Sequence, residues 1–307
     1  MSDRTRNWSE YNAGLKQRGS LTVWISNETS NYWFHQDRTG KRGASPVYSD
    51  LAIQTFATVK AVYRQAGRQT QGFIESIFSL LNIELTVPDH STVSRRLKSL
   101  NVTLPVHPPE GARHIVVDST GVKVYGEGEW KTRQHGISKR RTWRKLHVGV
   151  DESTGEIVSA VVTTHDVHDG EVLSEILDGI DDEIYQVSTD GAYDHEHCYE
   201  EISNRDAIAV IPPRKTAKIW RHGNLNTPPH QRDENLRYIR KHGRKTWKRD
   251  HDYHRRSLVE TTIGRHKRAF GGVVSSRRFD NQATELFIQC RVLNCMIQIT
   301  KPERDTV

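Results

Sequence analysis

Apolar and polar positions change period along the chain, and each change marks a new kind of structure. Residues 1–48 are aromatic-rich (Trp8, Tyr11, Trp24, Tyr32, Trp33, Phe34) and follow neither a helical nor a strand period. From Ser49 the pattern turns helical. Ser49-Asp50 form a start signal, and Ile53, Phe56, Lys60 and Tyr63 follow at helical spacing before Gly67. Phe73, Ile74, Ile77, Phe78 and Leu81 mark the stripe of a second amphipathic helix. Pro88-Asp89 open a third, with Val93, Leu97 and Leu100 inward and Arg95, Arg96 and Lys98 outside that stripe. Three short helices, the last one basic and preceded by a turn, fit a helix-turn-helix reader of DNA. A small bundle that supports the next domain fits the same pattern.

Leu104–Gly111 carries three prolines and reads as a linker. Beyond it the period shortens. His114–Asp118, Leu146–Val150 and Ile157–Val162 are β-rich runs that predict an antiparallel meander, with Glu152–Gly155 as the second turn. Asp169 is placed to cap a helix running to about Leu177. Ile184–Ser188 reads as a fourth strand, Tyr193–Ser203 as a helix and Ala207–Ile211 as a fifth strand, stopped by Pro212-Pro213. A basic stretch without strand pattern, Pro212–Asp250, precedes a helix expected from about Asp252 to Ala269. A final apolar helix is expected over about Thr284–Ile299. The order is that of an α/β domain with a mixed sheet. The expected organisation is a helical region over 1–103, a linker at 104–111, an α/β domain over 112–300 with a basic insertion at 212–250, and a tail at 301–307.

Composition narrows the class. No run of about 18 apolar residues occurs, so no membrane-spanning helix is expected, and the first residues lack the apolar core of a signal peptide. A cytoplasmic protein is the expectation. Cys198, Cys290 and Cys295 form no CxxC pair and read as reduced core residues. The net charge of +7 is modest; its distribution is not. Residues 150–210 hold 17 acids against one base, whereas 212–280 hold 19 bases against 6 acids. A basic block suits a polyanion, because neutralising phosphates releases condensed counterions. A solvated surface explains the same charge equally well.

Three acids stand at special places. Asp118 is read as the end of the first strand, Asp190 follows the fourth, and Glu260 lies mid-helix in the basic region. Each alone is a plausible turn or helix residue. Strands one and four of such a sheet can be neighbours, which would bring Asp118 and Asp190 to one edge. Converging oxygen ligands suit Mg²⁺, and two such ions about 4 Å apart serve phosphodiester chemistry. On a helix, Tyr253, Arg256, Glu260 and Lys267 fall within a sector of about 60°. That face would present an aromatic ring, a guanidinium, a carboxylate and an ammonium, a set suited to gripping phosphate. An ordinary i, i+4 pair between Arg256 and Glu260 on a solvated helix is the simpler alternative.

The Y-x2-R-x3-E-x6-K spacing of these four residues is similar to the signature around the third acid of DDE transposases of bacterial insertion sequences. The likeness is to the insertion-sequence-four and -five supergroup, most of all to the insertion-sequence-five family. Val117–Gly121 and Thr189–Asp194 resemble that family's first and second acid motifs, and Arg18–Ile25 resembles its N-terminal element. The resemblance implies an RNase H-like core, Mg²⁺-dependent cleavage at transposon ends and strand transfer by the freed 3′-hydroxyl. It further implies that Asp118, Asp190 and Glu260 hold two metal ions, with Mn²⁺ able to substitute for Mg²⁺. Tyr253, Arg256 and Lys267 would then hold the transposon terminus. Implied partners are double-stranded DNA, as terminal inverted repeats and target, and a second copy of the chain in a synaptic complex at the nucleoid. A nuclease of the same fold and a non-catalytic, transposase-derived repressor are the alternatives.

Other features carry weaker expectations. Lys139, Arg140 and Arg141, with Arg144 and Lys145, would clamp a DNA backbone as a loop between strands one and two; Arg95 and Arg96 would do so from the third helix. Trp220 and Trp247 are more simply packing residues than base-stacking ones. His165, His168 and Asp169 read as turn and cap chemistry rather than a zinc site, and His195 and His197 as a solvent-facing helix start. The absence of a GxxxxGK[ST] loop argues against ATP use.

Overall fold

A computed structural model describes residues 7–25, 27–36, 46–125, 142–221 and 229–300. The helices up to the sheet are α1 (Trp8–Gln17), α2 (Leu21–Trp24), α3 (Asn27–Asn31), α4 (Asp50–Val62), α5 (Gly67–Leu80) and α6 (His90–Leu97). Strands β1 (Arg113–Val124), β2 (Trp143–Asp151) and β3 (Ile157–Thr164) follow, then α7 (Leu173–Asp178), β4 (Ile184–Ser188), α8 (Glu196–Ser203) and β5 (Ile208–Val210). The chain ends in α9 (Gln231–His242), α10 (Arg244–Asp250), α11 (Ser257–Phe270), β6 (Val273–Val274) and α12 (Phe279–Ile299). The described residues fall into two compact units that interleave along the sequence. One takes in Met1–Pro105, Val124–Gly126 and Arg268–Val307, the other Val106–Lys123 and Glu127–Lys267.

In the first unit α12 packs along α4 and against α6 and α1, so the last helix sits with the N-terminal ones rather than with the sheet. The start signals at α4 and α6 act as such: Ser49 Oγ accepts from Ala52 N at 3.1 Å and Asp89 Oδ1 from Ser91 N at 2.8 Å. Trp33 is fully buried, edge-on to Phe78 at 5.3 Å, with its indole N–H on Thr86 O at 2.7 Å. The aperiodic N-terminus therefore holds three short helices. α1 gives no apolar stripe because its contact is a glycine: a Cβ on Gly14 would lie 2.5 Å from Ile299 O. The expected linker is tied down at its first end, since Arg291 and Asn294 donate to Thr103 O and Pro105 O at 2.6 and 3.0 Å.

One buried acid of this unit gives a pH prediction. Glu285 accepts four hydrogen bonds from the backbone and hydroxyls of Ser275 and Ser276, at 2.7–3.0 Å, and lies 3.5 Å from Lys60 Nζ. Burial alone would raise its pKa, but Lys60 and the serine donors outweigh it and hold the carboxyl below the ordinary 4.5. A lowered folded value means stability that is present above the ordinary value and lost as pH falls through the folded one. Glu285→Gln should therefore cost about 2 kcal/mol at neutral pH. That difference should shrink in paired thermal melts as pH falls below the ordinary value and through the folded one; a gap undiminished in acid would contradict it.

The second unit is built on a sheet of order β3-β2-β1-β4-β5. β1, β2 and β3 form an antiparallel meander, and β4 and β5 add in parallel beside β1. Ile115 and Val117 join Leu173, Ile176, Val187, Tyr193, Cys198, Tyr199 and Ile202 in one apolar core with α7 and α8. Strand side chains alternate, so Val116 and Asp118 face the other way. There Thr262 of α11 donates to Gly155 O at 3.1 Å. Arg113 anchors the start of β1, buried against Asp151 and Asp182. This mixed α/β arrangement is that of an RNase H-like core. β6 pairs with the far end of β1, where Tyr125 N donates to Val274 O at 2.8 Å.

The structure corrects several element expectations. β1 is twelve residues long and does not stop at Asp118; Ser119-Thr120-Gly121 remain paired to His147, Leu146 and Lys145 of β2. The basic stretch at 212–250 contains two helices, α9 and α10. α11 begins at Ser257 rather than Asp252, which places Glu260 in its first turn. Tyr253–Arg256 form a separate 3-10 turn, entered through Asp252 in the left-handed region at φ 49°.

Candidate active site

The sheet register brings two of the three acids together. β1 and β4 run parallel with Val116 opposite Ser188, the last pairing between them. Asp118 and Asp190 each lie two residues further on. Asp118 is thus mid-strand with respect to β2 but just past the end of β4. Asp190 caps the 3-10 turn that follows β4, its Oδ1 accepting from Ala192 N at 2.8 Å.

The third acid arrives through an arginine. Arg256 donates from Nη1 to Asp118 Oδ2 at 3.1 Å and from Nη2 to Glu260 Oε1. Arg256 closes the 3-10 turn just ahead of the first turn of α11. Asp118 Oδ1 takes the Ser119 N–H at 2.8 Å. Burial pushes the Asp118 carboxyl above the usual carboxylate range, and Asp190 and Glu260 push the same way against the Ser119 N–H and Arg256. Tyr253 is raised chiefly by burial, with Asp190 and Glu260 adding to it and Arg256 opposing. Asp118, Asp190, Glu260, Tyr253 and Arg256 therefore share one electrostatic neighbourhood.

Lys267 does not join it. It is exposed on α11, seven residues past Glu260 and so about 10 Å along the helix axis. Tyr253 instead meets Trp247, with ring centroids at 5.8 Å, and Lys248, whose Nζ lies 5.0 Å from its centroid. Trp247 is buried with its indole N–H on Asn235 Oδ1 at 3.1 Å, so it packs. Trp220 is covered by the Arg232 guanidinium at 3.7 Å and flanked by Tyr199 and His230. Arg96 is engaged by Tyr48 O and Asp50, whereas Arg95 is exposed and reaches Thr92. Lys139, Arg140 and Arg141 lie outside the described residues. Lys145 pairs with Asp169 at 3.0 Å, and that pairing occupies one of the two acids of the His165–Asp169 stretch.

Among the described residues no group of three or more His, Cys, Asp or Glu is gathered so as to hold a metal ion. The donor types at Asp118, Asp190 and Glu260 fit a hard divalent cation, being carboxylate oxygens alone. Arg256 now supplies the positive charge between two of them.

Beside the acids lies an ion pair that no motif announced. Asp194 accepts from Arg232 Nε at 2.6 Å and Nη2 at 3.2 Å, and from Arg214 N at 3.0 Å; both members of the pair are buried. Arg232 also donates to Lys218 O at 2.8 Å. Asp194 was visible within Thr189–Asp194, but nothing in the sequence joins it to a residue 38 positions on.

Two family models described as the transposase DDE domain match this chain, one over residues 16–127 and one over 109–295. The second alone covers more than half of it. The chain belongs to the DDE transposase family. Transposase DDE domains cleave DNA and transfer strands, usually with divalent metal ions, so DNA is the partner the family implies. No helix among the described residues of this transposase is long and apolar enough to cross a membrane.

Proposed function

We propose that this is an insertion-sequence transposase of the four and five supergroup, most like the five family. It cuts DNA at terminal inverted repeats and joins the freed 3′-hydroxyl to target DNA. One observation carries the reading: Asp118, on β1 two residues past its last pairing with β4, and Asp190, two residues past the end of β4, lie at one edge, and Arg256 ties Asp118 to Glu260. Asp118, Asp190 and Glu260 would hold two Mg²⁺ ions, or Mn²⁺ in their place. Such ions, when bound, activate the attacking hydroxyl and stabilise the leaving oxygen.

The chain's own groups do the rest. Arg256 would offer its planar fork to a phosphate near the scissile bond. Tyr253, held between Trp247 and Lys248, positions the end nucleotide. Lys267 neutralises a phosphate about two helical turns away. The helical region over 1–103 reads the ends, with Arg95 and Arg96 toward the backbone, and the domain over 112–300 carries the chemistry. Lys139, Arg140, Arg141 and the basic insertion clamp flanking DNA, and two copies pair the ends in a synaptic complex at the nucleoid.

The deciding assay supplies purified protein with Mg²⁺ or Mn²⁺ and DNA carrying the terminal repeats. End cleavage followed by joining is the expected result. Cleavage without joining would make the protein a nuclease of the same fold, and binding without cleavage a repressor.

A further inference from the structure

At the edge where β4 and β5 end, residues from three segments line a groove of about 280 Å³. His168, Gly170 and Glu171 come from the turn after β3, His195 and His197 from the start of α8, and Arg214 from the segment after β5. Four of these six can carry positive charge, and Glu171 is the one acid. Arg214 Nη2 donates to His195 Nε2 at 3.2 Å, and the His195 and His197 rings stack at 5.6 Å. His197 Nε2 lies 3.1 Å from Gly170 O. Burial lowers the His195 pKa, and Arg214, His197 and His168 lower it further against Asp194. Arg214 and three imidazoles thus crowd one groove, a set of N–H donors suited to an anion.

Three details favour an anion over other occupants. His195 occupies the N-cap position of α8 without a side-chain capping bond, so its ring does not satisfy the first N–H groups at the positive end of that helix dipole. Gly170 keeps the floor open: a Cβ there would lie 3.3 Å from both Cys198 Sγ and His195 Cδ2. A metal is disfavoured, because His195 Nε2 already accepts from Arg214 and His197 Nε2 lies against Gly170 O. Of the neighbouring acids, Asp194 is paired with Arg232, Asp169 with Lys145 and Glu196 with Arg221. The groove begins five residues after Asp190 and is open to solvent at His168, His197 and Arg214.

We propose that this groove seats one backbone phosphate of the DNA that crosses Asp190, with Arg214, His195 and His197 as its donors. The proposal rests on the transposase reading and adds a contact outside the acidic site and the basic insertion. The test uses the full chain, a duplex oligonucleotide and metal-free buffer, with anisotropy read across a KCl series. Arg214→Gln and His197→Gln should each weaken binding about tenfold, and Arg214→Gln should also flatten the log–log salt slope by about one. Arg214→Lys should keep the slope, and His197→Glu should lose more than His197→Gln. His197 is exposed, so its variants keep the test valid if Arg214→Gln fails to fold.

A wild type that binds no DNA would overturn the transposase reading and this proposal together. Steep salt dependence in the wild type, with unchanged affinity and slope in Arg214→Gln and His197→Gln, would overturn the groove alone. Titration with inorganic phosphate separates the sources. Shifts of the His195 and His197 ring signals with phosphate, but no effect of the variants on duplex binding, would make this a free-phosphate site and refute the DNA contact.

Discussion

Asp118→Asn and Glu260→Gln are each expected to lower strand cleavage by at least about 10³-fold while duplex binding stays close to wild type. Each substitution keeps the side chain's size and removes one anionic oxygen ligand. The divalent ions stabilise the transition state by several kcal/mol, and about 4 kcal/mol corresponds to that factor. Binding should survive because DNA is held by cations, and removing a negative charge from the site does not weaken them. The fold should survive too, since the Glu260 side chain is half exposed and Asp118 keeps an acceptor for Ser119 N. End-labelled DNA resolved on a denaturing gel, beside anisotropy for binding, checks both halves. Unchanged cleavage in either variant would remove that residue from the proposed site.

The legible part of this site was the part that lies on strands. Ile184–Ser188 stands out because an apolar run is bounded by acidic loop residues on one side and Asp190-Gly191 on the other, and β4 spans those five residues. The order of elements allowed the first and fourth strands to be neighbours, and β1 and β4 do pair in parallel. The length of β1 was hidden because Ser119-Thr120-Gly121 reads as a turn. Pairing to β2 overrides that local preference.

The helical parts were harder for a physical reason. Helical periodicity placed Tyr253, Arg256 and Glu260 on one face, yet the chain reaches the same clustering through a 3-10 turn that breaks the helix before Ser257. Side-chain chemistry was readable there, and backbone conformation was not. α9 escaped because it buries polar side chains, Arg232, Asp233 and Asn235, with Leu236 as the buried apolar residue among them. A hydrophobic pattern cannot report a helix held by ion pairs and hydrogen bonds.

That polar burial makes Arg232 a sensitive position outside the acids. Arg232→Met should destabilise the protein by about 3–5 kcal/mol, because it leaves the buried Asp194 carboxylate without its cation. The Asp194 side chain has no exposure and that of Arg232 has 5%, so water cannot replace the lost partner. The Arg214 N–H at 3.0 Å is too little compensation. Trp220 also loses the guanidinium over its ring. Pairing the change with Asp194→Asn removes the stranded charge, so the double variant should recover much of the loss. A cycle of urea unfolding measures that coupling. Additive losses, or a single-variant cost below about 1 kcal/mol, would refute a buried charge pair of this strength. The pair also fixes the chain four residues after Asp190. The stability-rescued double variant should therefore bind DNA normally yet cleave it more slowly, which separates a loosened Asp190 turn from mere unfolding.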